Sequence, residues 1–132
     1  MKKRKLLDSF ALLAFLKKEN NHQRVKEFLS SPSDPVLMNE INVGETFYIL
    51  ARERGADAAD VFLNVILPSL PVAVLSNSFD HVIEASRIKA SHALSFADCF
   101  AVAAALRENA VIVTGDPEFR KAERLAEVFW LS

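Results

Sequence analysis

Ala110-Val111-Ile112-Val113-Thr114-Gly115-Asp116-Pro117 decides how the rest of the chain is read. Its first four residues are apolar and mostly β-branched, without polar alternation, as in a strand covered on both faces. Thr114-Gly115 ends that strand. Asp116 before Pro117 then reads as a helix cap followed by proline at the first helical position. Moving back, residues 95–108 form a small-residue helical pattern carrying Phe96, Phe100, Val102 and Leu106. Moving forward, residues 117–126 read as helical and 128–131 as a last strand. The start of the chain repeats the motif: Leu6-Leu7 closes a short apolar strand, Asp8 follows, and 9–18 carries Leu12, Leu13, Phe15 and Leu16 at helical spacing.

Between these ends, helical patterns are expected over 22–29, 42–54, 57–67 and 80–90, and strands over 36–38 and 71–75. The cluster Ser30-Ser31-Pro32-Ser33-Asp34-Pro35 breaks the chain into a loop. Strands alternating with helices predict an α/β fold, with a parallel central sheet and helices on both faces. At 132 residues the chain is expected to be one domain, 1–132, without a linker or repeat.

Composition narrows the function. Sixteen Lys+Arg against 17 Asp+Glu leave a net charge of −1, and 51% hydrophobic with 25% charged residues is an ordinary globular balance. With Gly44, Gly55 and Gly115 as its only glycines, the chain has neither of the glycine-clustered phosphate-binding fingerprints. Cys99 is the single cysteine, which excludes an internal disulfide and a cysteine-only zinc site and suits a reducing compartment. The basic run Lys2-Lys3-Arg4-Lys5 precedes an apolar stretch as in a secretory leader. Asp8 interrupts that stretch, however, and Lys17-Lys18-Glu19 stands where a cleavage site would be. No run approaches the ~18 apolar residues of a membrane span. A cytoplasmic protein without a membrane partner is expected.

Four acids matter as a set: Asp8, Glu45, Asp98 and Asp116. Each also has a purely structural reading. Asp8 and Asp116 open helices, and Asn42-x-x-Glu45 and Ser95-x-x-Asp98 fit the capping-box pattern. Together they point to more. Asp8 and Asp116 both follow strands whose carboxyl ends share one sheet edge, where ligands bind in open parallel sheets. Glu45 and Asp98, read as first-turn residues, project toward the same edge. Four carboxylates ~5 Å apart repel by about 3 kcal/mol per pair at an effective dielectric of ~20, so such a cluster takes up protons or binds a cation. Oxygen ligands without a His or Cys set favour Mg²⁺ or Mn²⁺ over zinc. A divalent ion so held is suited to phosphodiester hydrolysis.

Leu6-Leu7-Asp8-Ser9-Phe10-Ala11-Leu12-Leu13, Glu40-Ile41-Asn42-Val43-Gly44-Glu45-Thr46-Phe47-Tyr48, Ser95-Phe96-Ala97-Asp98-Cys99-Phe100-Ala101-Val102-Ala103 and Val113-Thr114-Gly115-Asp116-Pro117-Glu118-Phe119 together resemble the PIN domain. More narrowly they resemble the VapC-type toxins of toxin–antitoxin pairs. The resemblance implies an RNA endonuclease dependent on Mg²⁺ or Mn²⁺, a homodimer, and inhibition by a small cognate antitoxin. Asp8, Glu45, Asp98 and Asp116 match the acidic quartet. Asp8 and Asp98 correspond to the most direct metal ligands, Glu45 to a holder of the metal or its water, and Asp116 to a support for a second metal position. Ser9 and Thr114 match small hydroxyl positions beside the acids. Glu118, a longer side chain where a further acid often stands, is left outside the core set.

Other readings compete. A PIN-like fold with its acids reduced to caps would act as a binding or scaffold module. A haloacid-dehalogenase-type phosphatase wants a second Asp where Phe10 stands, and a phospho-acceptor receiver domain wants a lysine where Thr114 stands. Cys99 is expected in the core, as are the aromatics Phe47, Tyr48, Phe62, Phe79 and Phe100, although the neighbours Phe47 and Tyr48 cannot both face it. The run 2–5 reads equally as a solvated strand start or as a site for a phosphate backbone.

Overall fold

The computed structural model describes residues 3–131. Five strands, β1 (Lys5–Leu7), β2 (Val36–Asn39), β3 (Val72–Leu75), β4 (Val111–Thr114) and β5 (Val128–Trp130), form one sheet in the order β3-β2-β1-β4-β5. Every pairing is parallel, as the expected α/β class requires. Between strands run α1 (Ser9–Leu16), α2 (His22–Phe28), α3 (Glu40–Arg54), α4 (Ala56–Val61), α5 (Leu67–Ser69), α6 (Phe79–Ser91) and α7 (Phe96–Glu108).

The pleat divides the core in two. Leu6, Leu37 and Ile112 face one side and bury against α6 and α7 through Ala85, Cys99, Val102 and Ala105. Leu7, Val36, Met38 and Val113 face the other and bury against α1, α3 and α4 through Leu12, Val43, Leu50 and Ala59, and against Phe62 just beyond α4. Strands covered on both faces explain why 110–113 shows no polar alternation.

Several boundaries differ from those expected. Helix α3 begins at Glu40, because Asn39, and not Asn42, is its cap: the Asn39 side chain accepts a hydrogen bond from the Ile41 amide. Asn42 and Glu45 are therefore not a capping box, and Glu45 sits in the second turn. The 57–67 helix is interrupted by a π-helical turn at Phe62–Ile66, which swings Phe62 fully into the core. After Asp116 a 3-10 turn over Pro117–Ala122 replaces the longer helix expected to 126. Phe79 is not a core residue but is 75% exposed at the start of α6. Tyr48 is also exposed, with the Arg52 guanidinium 5.0 Å from its ring centre, while Phe47 packs on the second core.

Lys3, Arg4 and Lys5 of the basic run lie at the amino edge of the sheet. Lys2 is outside the described residues. Lys3 pairs with Glu127 at 3.1 Å and Arg4 with Glu108 at 2.8 Å, and the Lys5 ammonium lies over Phe28. Among the described residues no helix is long and apolar enough to cross a membrane.

Candidate active site

The chain leaves central strand β1 toward β2 on one side and is joined by β4 on the other. The strand order thus reverses between β1 and β4, and crevices open at the carboxyl ends of strands where this happens. Asp8 and Asp116 occupy those ends. Asp8 is 2% exposed, yet both of its oxygens are engaged. Oδ1 accepts from the Ala11 amide at 2.8 Å, and Oδ2 accepts from the Thr114 hydroxyl at 2.5 Å. Thr114 Oγ1 in turn accepts from the Asp116 amide at 3.0 Å, so one hydroxyl joins the two strand ends. Gly115 between them leaves room for the Phe10 ring. A Cβ there would stand 2.4 Å from the Phe10 ring.

Glu45 reaches the same edge from the second turn of α3. Ser9, the residue after Asp8, donates its hydroxyl to Glu45 Oε1 at 2.6 Å. Asp98 enters from the first turn of α7, whose cap Ser95 accepts from the Asp98 amide at 3.1 Å. The Asp98 side chain is 8% exposed. Asp116 caps the 3-10 turn by accepting from the Glu118 amide at 3.0 Å.

Charge ties these groups together. Burial holds the Asp8 carboxyl up at about 7; the hydrogen bonds from Thr114 and Ala11 pull it down, and the charges of Asp98 and Asp116 add to the rise. Burial likewise holds Asp98 up at about 6; Ser95 lowers it, and Glu45, Asp116 and Glu118 raise it. The four acids named from sequence therefore share one neighbourhood. Glu118 adds its charge there although it is exposed and pairs with Lys121 at 2.6 Å. Its place was readable only as the second residue after Asp116, because the 3-10 turn, not a longer helix, sets its direction. Among the described residues none of the four acids has a cationic partner.

The donor set is one that a hard divalent ion fits: oxygen ligands only, two of them resisting ionisation chiefly because they are buried, with like charges nearby adding to the effect. Among the described residues no three acids, histidines or cysteines stand close enough to enclose an ion by themselves. Mg²⁺ is commonly held by one or two carboxylates with several waters retained, so Asp8 and Asp98 are the residues that could hold one. Cys99 is fully buried beside Asp98, with its thiol pushed up by burial, and belongs to the core as expected. His92 is held locally, its Nδ1 3.1 Å from the Ile88 carbonyl oxygen.

A parallel five-stranded sheet with four acids gathered at its switch point defines an α/β domain with an acidic carboxyl edge. Residues 5–125 match the PIN domain model, and the chain belongs to the PIN domain family. The fold is also that of several solved structures. The toxin VapC20 of Mycobacterium tuberculosis, described as cleaving the sarcin-ricin loop, superimposes with a TM-score of 0.73 at 21% identity, covering 89% of this chain and 94% of that one. A VapBC2 complex from Rickettsia felis bound to promoter DNA gives 0.72 at 15% identity, covering 97% and 98%. FitAcB of Neisseria gonorrhoeae gives 0.71 at 20% identity, covering 95% and 96%. No curated protein matches the sequence.

Proposed function

We propose that residues 1–132 form a metal-dependent RNA endonuclease, the toxin of a toxin–antitoxin pair, acting on RNA phosphodiester bonds at the crevice of Asp8, Glu45, Asp98 and Asp116. The observation that carries this reading is the gathering at the switch point of four acids that have no cationic partner among the described residues, with Asp8 and Asp98 buried and charge-coupled. Structural needs alone do not call for it, since a cap is served by one exposed side chain.

In this reading Asp8 and Asp98 hold Mg²⁺ or Mn²⁺. Bound there, such an ion supplies a hydroxide at neutral pH and offsets the charge that grows on the phosphate. The chain's own residues do the positioning. Thr114 and the Ala11 amide fix the Asp8 carboxylate in one orientation. The Ser9 hydroxyl holds one oxygen of Glu45 and leaves the other to orient a water. Asp116, tethered through its amide to Thr114, adds a negative group at the mouth that supports a second cation position. The partners in this reading are an RNA substrate, a small antitoxin as in the VapBC complexes, and a second copy of the chain, all in the cytoplasm.

A second reading has its own support: Asp8 and Asp116 both accept a cap hydrogen bond, as a catalytically silent binding module would need. The two separate when purified, antitoxin-free protein is incubated with a pool of structured RNAs in Mg²⁺, Mn²⁺ or EDTA. The Asp8→Asn, Asp98→Asn double mutant runs beside it. Discrete, metal-requiring cleavage that the mutant lacks is the expected result. No cleavage together with no Mn²⁺ binding by calorimetry overturns the nuclease reading.

A further inference from the structure

Asn42 is fully buried in the first turn of α3 and takes no part in capping that helix. Its side-chain Nδ2 donates to the Ala97 carbonyl oxygen at 3.2 Å, the residue before Asp98 in the first turn of α7. Its backbone carbonyl accepts from the Thr46 hydroxyl at 2.9 Å, one residue beyond Glu45. Its Oδ1 is buried with no partner, the one such side-chain atom among the described residues. The amide orientation follows from these contacts, because a carbonyl at 3.2 Å demands a donor.

This arrangement is a poor bargain for stability. Ala97 lies within α7, so its carbonyl already has the helix ladder for a partner. A buried acceptor left unmade is costly, and an apolar side chain of similar size would avoid that cost. A buried polar atom left without a protein partner calls for a reason beyond packing, and a functional constraint on the residue is one such reason. Asn42 sits three residues before Glu45 on the same face of α3 and is bonded to the residue before Asp98. It therefore joins the two helices that carry half of the acidic set.

We infer that Asn42 is a positioning residue: through Ala97 it fixes the first turn of α7 against α3 and so holds the Asp98 carboxylate in place for a divalent cation. The inference rests on the metal reading above. Groups that hold metal ligands in place typically govern ion affinity by 10- to 100-fold, about the effect expected here.

The test is calorimetric titration of Mn²⁺ into the full chain at pH 8, with melting temperatures recorded in EDTA. Asn42→Ala removes the bridge, and Asn42→Leu removes it while filling the space. The expected result is Mn²⁺ affinity weaker by about tenfold in both variants, with at least one melting no lower than the wild type. Unchanged affinity in both variants overturns the inference while leaving the metal reading intact. A melting temperature lowered in both assigns Asn42 to fold stability and overturns it too. Absence of Mn²⁺ binding by the wild type overturns the metal reading and this inference together.

Discussion

The two edges of the sheet carry charge in opposite ways. At the amino edge, Lys3 and Arg4 meet Glu127 and Glu108 in ion pairs that water still reaches. At the carboxyl edge, Asp8 and Asp98 are withdrawn from water, meet other acids, and find hydroxyls and amides instead of cations. Exposed pairs contribute about 0–1 kcal/mol and can be rearranged freely. Buried like charges cost stability and persist only where something is gained. Sign and number of charges are nearly balanced over the chain, so the difference lies in placement alone.

The largest effect expected from breaking this contrast is on the acids themselves. On the proposed function, Asp98→Asn should abolish RNA cleavage, by more than about 100-fold, because it removes one of the two proposed metal ligands. It should leave the melting temperature in EDTA at pH 8 unchanged or higher. A large fall in melting temperature would instead show that Asp98 serves the helix start.

Next comes pH. Asp8 and Asp98 have folded pKa values near 7 and 6, above the ordinary 3.8, so the folded state holds more protons than the unfolded chain between about pH 4 and 7. Stability without metal should therefore fall as pH rises through that window and recover on acidification. The change is on the order of 3 kcal/mol between pH 8 and 5, read from urea unfolding in EDTA. Mn²⁺ affinity should run the other way, weakening below about pH 6 as both carboxyls take up protons. A stability profile flat from 5 to 8 would remove the carboxyl edge's distinction.

Gly115→Ala pushes a methyl group into the Phe10 ring. It should cost about 1–3 kcal/mol by overpacking and lower cleavage further than that loss explains, since Thr114 and Asp116 flank it. Arg4→Ala is the smallest change. Breaking its pair with Glu108 should cost less than about 1 kcal/mol and leave Mn²⁺ binding untouched, which a titration would show.

Much of this was legible in the sequence, and the reasons are specific. The apolar run at 110–113 declared a doubly covered strand, and acids at its end and after Leu7 declared the edge. Asn39 was not legible as the cap of α3, although its capping bond to the Ile41 amide is local, because Asn42 stands as near and its spacing to Glu45 fits a capping box. Asn39 and Asn77 exchange reciprocal amide hydrogen bonds at 2.9 and 3.0 Å, fixing the end of β2. A local pattern offered Asn42 equally well. The π-helical turn at Phe62–Ile66 was hidden likewise, since it answers to space in the core rather than to spacing along the chain. Phe79 looked like a core aromatic by composition, but only the start of α6 shows that nothing covers it.

The hydrogen bond between Thr114 and Asp8 joins positions 106 apart, and it completes the first acid with nearly the last strand. On a ribosome adding about 5–20 residues per second, Asp8 emerges many seconds before its partner does. The central strand cannot be flanked on both sides until β4 has been made. Pairings of such separation also form slowly once available. A domain built this way has no self-sufficient amino-terminal fragment: a chain that stops before β4 carries Asp8 and Glu45 but neither Thr114 nor the strand that completes their edge of the sheet.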